Sequence, residues 1–143
     1  MVDKNESKLN NVAEQCANSN TPLVINADVS NDDDIKRIIT ETIDKFDKID
    51  ILVNNAGTSV QGDILSGKIL KAYDETMAVN IRAVVNLTAL AAPHLVKTKG
   101  NIVNISSIAG KTISMVGYAA YNTSKAALDH FTRGAARSWQ LQV

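Results

Sequence analysis

The chain alternates between stretches where apolar residues recur with a helical period and short runs where they are continuous. A period near 3.6 residues predicts an amphipathic helix, and a short apolar run bounded by turn residues predicts a strand. The predicted helices cover residues 5–17, 30–46, 68–92 and 118–138. The predicted strands cover residues 23–27, 49–53 and 101–105. Strands that alternate with helices need crossover connections, so the expected fold is α/β with a parallel sheet.

Three local features refine this prediction. Cys16 lies on the apolar stripe of the first helix, so we expect its thiol to be buried. Ser30 or Asn31 can cap the second helix, and the acidic residues 32–34 then suit the positive end of the helix dipole. These carboxylates point in different directions on a helix, which favours capping over a metal site. Pro93 is expected to end or kink the long third helix.

Composition places the chain among ordinary folded proteins. It has 143 residues, of which 45% are hydrophobic and 21% are charged, and the formal net charge is zero. Residues 1–75 hold 14 acidic and 8 basic residues, whereas residues 76–143 hold 1 and 7. The basic residues of the second half are scattered, so nucleic-acid binding is not expected.

Targeting and cysteine content point to a reducing compartment. The first residues contain no apolar segment of the signal-peptide kind. No apolar run approaches the roughly 18 residues that suggest a membrane span, so no membrane association is expected. A single cysteine excludes an internal disulfide framework. We therefore expect a cytoplasmic protein without a bound metal.

Polar residues that follow the strands mark one edge of the predicted sheet. Ligands of parallel α/β sheets bind beyond the carboxyl ends of the strands. Asp28 follows the first predicted strand, Asn54–Gly57 follow the second, and Ser106 and Ser107 follow the third. These residues should therefore lie along one functional edge.

The last helix carries a tyrosine and a lysine that can work together. Tyr121 and Lys125 are four residues apart and share a helical face. An ammonium beside a phenol stabilises the phenolate, which a general acid/base at neutral pH requires. A serine hydroxyl at the end of the preceding strand could hydrogen-bond a substrate carbonyl oxygen. The spacing by itself occurs in many helices by chance, but the serine pair upstream strengthens the hypothesis.

Asn80 stands inside an otherwise apolar helix, where an amide is unfavourable unless its hydrogen bonds are satisfied. One reading is a structural amide that satisfies backbone groups in the core. The other is an amide that holds a water in a proton relay. The sequence leaves both readings open.

Five short motifs resemble the classical short-chain dehydrogenase/reductase family, in family order and spacing. They are Asn26-Ala27-Asp28-Val29, Asn54-Asn55-Ala56-Gly57, Met77-Ala78-Val79-Asn80, Asn104-Ile105-Ser106-Ser107, and Tyr121 to Lys125 followed by Ala126-Ala127-Leu128. The resemblance implies a Rossmann-like, doubly wound parallel sheet, with residues 1–143 forming part of an NAD(P)-binding domain. It implies an oxidoreductase that interconverts a carbonyl and a secondary alcohol by hydride transfer.

The resemblance also implies roles for individual residues. Asn80, Ser107, Tyr121 and Lys125 match the catalytic tetrad. In that tetrad Tyr121 is the general acid/base, Lys125 stabilises its phenolate and holds the nicotinamide ribose, Ser107 polarises the carbonyl, and Asn80 organises a relay water. Cofactor contacts are expected from Asp3, Asp28, Val29, Asn54, Asn55, Ala56, Gly57, Tyr121 and Lys125.

The cofactor is expected to be NAD or NADP. An acidic residue at the end of the family's second strand favours NAD, and a basic residue accommodates NADP. Asp3 and Lys4 offer one of each, and we favour NAD slightly. The partners expected by resemblance are a small carbonyl or alcohol substrate and, for the full-length form, one or three further copies of the chain in a homodimer or homotetramer.

The family's first strand, its Gly-rich turn and its last strands have no counterpart in the 143 residues. The expected sheet is therefore incomplete, with a gap where the first strand would lie. Alternatively, the strand at 23–27 could slide beside the strand at 49–53. The second functional hypothesis is accordingly a catalytically inactive family remnant or fragment that acts at most as a binding protein.

Overall fold

A computed structural model describes residues 1–16, 21–113 and 115–140. The strands are β1 (Val2–Asp3), β2 (Ile25–Asn26), β3 (Ile51–Asn54) and β4 (Asn101–Asn104). The helices are α1 (Glu6–Cys16), α2 (Asp32–Phe46), α3 (Ile69–Met77), α4 (Ala83–Thr98) and α5 (Ala119–Gln140). A π-helical turn, Ala78–Arg82, joins α3 to α4, and a short 3₁₀ helix, Ile108–Gly110, follows β4.

The strands form two parallel pairs, β1 with β2 and β3 with β4. The α/β class, the parallel pairing and the incomplete sheet are confirmed. In the described residues no ladder joins β2 to β3 or β4, so the alternative in which β2 slides beside β3 is wrong. β2 is instead held by β1, since the Ile25 amide donates to the carbonyl of Met1 at 3.0 Å.

The hydrophobic core lies between the strands and helices α2 and α4, and it bridges the two strand pairs. Its buried members come from β2 and the residue after it, from α2, from the segment between α2 and β3, and from α4: Ile25, Ala27, Ile35, Ile38, Ile39, Ile49, Ala83, Leu87, Ala91 and Leu95. Trp139 of α5 packs against this cluster. Burial of one aliphatic side chain contributes about 1.5–3 kcal/mol, so this cluster holds the pairs together without a shared ladder.

The opposite face of β3 and β4 is apolar and largely uncovered. Ile51 is 62% exposed and Val53 is 54% exposed, and Val103 on β4 is also exposed. Their sequence neighbours Leu52 and Ile102 point the other way, toward the core. A continuous apolar run is typical of a strand that is buried on both faces, but in this structure one face of β3 and β4 is exposed.

Helix α2 begins as predicted, with Asn31 as its cap. The Asn31 side-chain oxygen accepts hydrogen bonds from the amides of Asp33 and Asp34 at 2.8 and 3.3 Å. The three aspartates occupy the first turn, where the helix dipole favours negative charge.

One prediction about the helices is wrong, and another is wrong in one of its two alternatives. Cys16 is exposed, and among the residues that the structure describes Leu9 is the buried residue of α1. Pro93 does not end its helix, because it lies inside α4, which continues to Thr98; the kink stays a prediction. Proline has no amide hydrogen, so the Ala89 carbonyl lacks its usual hydrogen bond from residue 93. Ala89 and Pro93 are both exposed, so water can bind this carbonyl.

The expectation that no segment is long and apolar enough to span a membrane also needs correction. The continuous helical stretch Ile69–Thr98 passes that test by length and composition. Core helices of soluble proteins pass the same test, and this stretch contributes Ala83, Leu87, Ala91 and Leu95 to the core. We therefore interpret it as a core helix.

Candidate active site

The carboxyl ends of β3 and β4 meet the first turns of α5. Asn54 and Asn104 are register partners at the ends of these strands, and the Asn54 amide donates to the Asn104 side-chain oxygen at 2.8 Å. The Asn104 amide donates in turn to the Thr132 hydroxyl on α5 at 2.9 Å. This polar chain ties the strand ends to the helix that carries Tyr121 and Lys125.

Lys125 is a buried cation at this junction, with 6% of its surface exposed. Its ammonium donates to the Ile105 carbonyl at 2.7 Å and lies 5.8 Å from the centre of the Tyr121 ring. An ammonium carries three N–H groups, so one hydrogen bond to Ile105 leaves donors for other groups. The predicted side-by-side placement of Tyr121 and Lys125 is found in the structure.

Asn80 lies at the centre of the π-helical turn and is 1% exposed. Its side-chain oxygen accepts from the Thr58 amide at 2.8 Å, and its amide donates to the Thr58 carbonyl at 2.9 Å. The same amide donates to the Ser124 hydroxyl at 2.9 Å. Both amide hydrogens are therefore occupied by protein groups, as the structural reading of this residue requires. The water-holding role stays a prediction.

The π turn explains how an amide can occupy this position. Such turns insert an extra residue into an α-helix and are frequent at functional sites. Here the turn directs the Asn80 side chain toward the loop after β3 and toward α5. Its last residue, Arg82, is exposed and binds a different element. Arg82 makes two hydrogen bonds of 2.6 and 2.7 Å to the Asp32 carboxylate at the start of α2.

The two adjacent serines have different partners. The Ser106 hydroxyl donates to the Asp129 carboxylate on α5 at 2.5 Å. The Ser107 hydroxyl accepts from the Ala109 amide at 3.2 Å and caps the short 3₁₀ helix. Because this bond leaves the Ser107 hydroxyl hydrogen free to rotate, Ser107 rather than Ser106 has a donor to offer an external oxygen.

The loop after β3 presents exposed backbone beside these groups. Asn55, Ala56 and Gly57 are exposed. A Cβ atom at Gly57 would lie 3.6 Å from the Asn80 side-chain oxygen and 3.9 Å from the Lys125 ammonium nitrogen. The backbone at Gly57 thus borders both predicted catalytic side chains.

Three of the residues predicted to contact the cofactor lie at the other strand pair. Asp28 and Val29 follow β2, and Asp3 ends β1. Hydrogen bonds from the Ser30 hydroxyl and amide, at 2.7 and 2.9 Å, hold the pKa of the Asp28 carboxyl below its ordinary value. The Asp3 carboxylate accepts from the Asn5 amide at 2.8 Å.

The site fits part of a dinucleotide. The buried Lys125 ammonium and the exposed backbone beside it can form hydrogen bonds with the hydroxyl and amide groups of a ligand. The buried Asn54 side-chain oxygen has no hydrogen-bond partner within the described residues. A pyrophosphate needs a Gly-rich turn before a helix, and residues 1–16, 21–113 and 115–140 contain none. The residues present therefore fit the nicotinamide side better than the phosphates.

Two hollows of the described surface lie beside the start of α5 and are not lined by the predicted catalytic side chains. Two cavities of about 320 and 300 Å³ are lined by the loops at 61–68 and 113–117. Their lining includes neither Ser107, Tyr121 nor Lys125. We give the hydrogen-bonded junction more weight, since a cavity without convergent polar groups does not define a site.

Sequence reasoning missed two polar residues of α5 at this site. Ser124 is completely buried and links Asn80 to the helix by donating to the Tyr121 carbonyl at 2.7 Å. Asp129 binds Ser106. Ser124 gave no signal beyond lying between Tyr121 and Lys125, whereas Asp129 is the single acidic residue of 76–143.

A parallel α/β scaffold with polar side chains gathered at the carboxyl ends of its strands is typical of nucleotide-binding α/β proteins. Residues 1–142 match the family model described as short chain dehydrogenase. The chain belongs to the short-chain dehydrogenase family, whose members bind NAD(P).

Two relatives illustrate the similarity. The chain is 34% identical over 133 residues to an 11-beta-hydroxysteroid dehydrogenase A of Sesamum indicum, covering 92% of this chain and 38% of the relative. It is 35% identical over 127 residues to a 3-oxoacyl-[acyl-carrier-protein] reductase of Synechocystis, covering 88% and 51%. The chain thus spans about half, or less, of the length of these curated relatives.

Among solved structures, the fold is similar to a short-chain dehydrogenase/reductase of unknown function from Caenorhabditis elegans, determined with cofactor. The TM-score is 0.89 and the identity is 32%. The match covers 99% of this chain and 55% of the other. The Rossmann-like fold is therefore shown, over roughly half of a family domain.

Proposed function

We propose that this chain carries the catalytic groups of an NAD(P)-dependent oxidoreductase that interconverts a carbonyl and a secondary alcohol. The observation that supports it most is the buried Lys125 ammonium, which lies 5.8 Å from the centre of the Tyr121 ring at the carboxyl ends of the strands. NAD(P), when bound, supplies the hydride in reduction and accepts it in oxidation.

Tyr121 acts as the general acid/base in this proposal. In reduction its phenol transfers a proton to the carbonyl oxygen as the carbon gains the hydride, and the reverse transfer occurs in oxidation. The Lys125 ammonium stabilises the phenolate left behind, since an opposite charge nearby favours the ionised form. Its bond to the Ile105 carbonyl fixes the direction of the ammonium.

Ser107 polarises the carbonyl in this proposal. A hydroxyl aimed at the oxygen that gains charge stabilises the transition state more than the ground state. The Ser107 hydroxyl accepts the Ala109 amide, which orients it and leaves its own hydrogen for the substrate. Asn80 keeps the loop at Thr58 and helix α5 in place, and its relay water remains part of the proposal.

The experiment is a Tyr121→Phe substitution in the complete protein, assayed for carbonyl reduction and for dinucleotide binding. We expect turnover to fall by at least about 100-fold, in the range of a lost general acid/base, while dinucleotide affinity is kept. Tyr73→Phe is the matched control, because Tyr73 is a 40% exposed tyrosine on α3. Near-normal turnover of Tyr121→Phe would refute the assignment.

Two further properties belong to the same proposal. NAD is favoured over NADP, since Asp3 places a carboxylate at the end of β1; equal KM values for NADH and NADPH would contradict this. The full-length protein forms a dimer or tetramer, a proposal supported by exposed apolar side chains on α4 such as Val85 and Val96. A monomer in light scattering at micromolar concentration would contradict it.

The alternative is a binding protein without catalysis. The uncovered apolar face with Ile51 and Val53 favours it, because exposed apolar patches often mark interaction sites. Carbonyl reduction that depends on Tyr121 would decide against this alternative.

A further inference from the structure

The end of β4 is attached to α5 at two successive residues next to Ser107. Lys125 holds the carbonyl of Ile105 at 2.7 Å, and one turn later on α5 Asp129 accepts the hydroxyl of Ser106 at 2.5 Å. One attachment leaves the segment free to rotate about it, whereas two at adjacent residues define its orientation. Ser107 follows by a single peptide bond, so its direction is set by this double attachment.

Asp129 is an unusual residue for its position. It is half-buried and is the single acidic residue among residues 76–143. A partly buried carboxylate requires hydrogen-bond donors, and a hydroxyl bond to a charged oxygen is short and strong. The mechanism proposed above does not use it.

We propose that Asp129 is a positioning residue that acts through Ser106 to place the Ser107 hydroxyl relative to the Tyr121 phenol. The Ser106–Asp129 bond fixes the end of β4 against the helix that carries Tyr121. The two groups that contact the substrate oxygen thereby keep a constant separation. This inference rests on the proposed function for its catalytic consequence, but its geometric part is independent of activity.

The kinetic experiment compares variants of the complete protein. Asp129→Ala and Ser106→Ala should each lower kcat about tenfold without changing the KM for the dinucleotide, because small displacements of catalytic groups are costly. Asp129→Asn keeps an acceptor oxygen and should restore kcat to within about threefold of the parent. The double variant should be no slower than either single one, since both remove the same interaction.

Thr132→Ala is the matched control. It removes another side-chain hydrogen bond between α5 and the end of β4, the 2.9 Å bond from Asn104, but further from Ser107. We expect it to lower thermal stability while leaving kcat unchanged. Equal losses of kcat in Thr132→Ala and Asp129→Ala would overturn the proposal, as would an Asp129→Asn variant as slow as Asp129→Ala.

Amide hydrogen exchange separates this inference from the proposed function. The amides of Ala109 and Gly110 donate to the Ser107 hydroxyl and carbonyl at 3.2 and 3.0 Å, so their exchange reports on Ser107. Asp129→Ala should accelerate exchange there at least about fivefold, and Thr132→Ala should not. An inactive parent protein that shows this acceleration refutes the proposed function and supports the positioning role. Unchanged exchange in Asp129→Ala overturns the positioning role even if the parent is active.

Discussion

The ammonium of Lys125 donates to the backbone carbonyl of Ile105 across 2.7 Å, from helix α5 to the residue that follows β4. A hydrogen bond to a charged group contributes about 1.5–3 kcal/mol, and the Lys125 end of this one is buried. It connects the helix that carries Tyr121 to the segment that carries the serine pair.

Substitution of the two serines should separate their roles. Ser107→Ala removes the hydroxyl that is free to donate to substrate, so we expect turnover to fall about 100- to 1000-fold, as for the loss of an oxyanion donor. Ser106→Ala should cost about tenfold, because it loosens the attachment to Asp129 without removing a reacting group. Steady-state rates of carbonyl reduction measure both, and the reverse ranking would show that Ser106 is the reacting hydroxyl.

Substitution of Asn80 should destabilise the fold more than substitution of Ser124. Asn80→Ala leaves the amide and carbonyl of Thr58 without their partner, and an unsatisfied buried group costs about 1–3 kcal/mol. Ser124→Ala loses two hydrogen bonds, one from the Asn80 amide and one to the Tyr121 carbonyl, each worth about 1 kcal/mol. Urea unfolding measures both free energies. Equal losses would mean that the two Thr58 contacts contribute no more than the single bond from Ser124 to the Tyr121 carbonyl.

Acid should destabilise the protein through the carboxylates around the start of α2. Hydrogen bonds from Arg82 and Asn86 hold the pKa of Asp32 below its ordinary value, and the Asp28 amide and Arg37 do the same for Asp34. The unfolded chain binds these protons more readily, so the contribution is complete above about pH 4 and is lost as pH falls through the lowered pKa values.

Two variants test this pH dependence in urea unfolding between pH 7 and pH 3. Asp32→Asn should flatten the acid limb, because its bidentate contact with Arg82 is lost. Asp33→Asn is the control, since the Asp33 side chain is 92% exposed and makes one 3.4 Å contact with Lys36. An acid limb as steep in Asp32→Asn as in the parent would exclude Asp32 as its source.

Dinucleotide binding by the isolated 143-residue polypeptide should be weak. The described residues hold no Gly-rich turn for the pyrophosphate, and the two strand pairs share no ladder. Fluorescence titration with NADH and NADPH is the measurement, and binding weaker than millimolar is expected. Micromolar affinity together with carbonyl reduction by this polypeptide would contradict the prediction.

The helices and the family motifs could be read from the sequence because both depend on local order. The stripe of isoleucines with its Asn31 cap specifies α2, and Tyr121 with Lys125 shares a face on any helix. The π turn at Asn80 could not be read, since it arises from the packing of one helix against a loop and another helix. The exposed Cys16 is a similar case, because burial depends on what packs over α1.

The sequence by itself determined the alternation of strands and helices, the cap of α2 and the set of polar residues at the strand ends. Each of these follows from spacing, which a linear chain records. The tertiary structure alone decided that Ser106 binds Asp129, that Ser124 completes the hydrogen bonds of Asn80, and that the two strand pairs stay apart. The two hydrogen bonds join residues more than 20 positions apart in the chain. Which residues meet at such distances depends on how whole helices and strands pack, and the local sequence pattern does not record that packing.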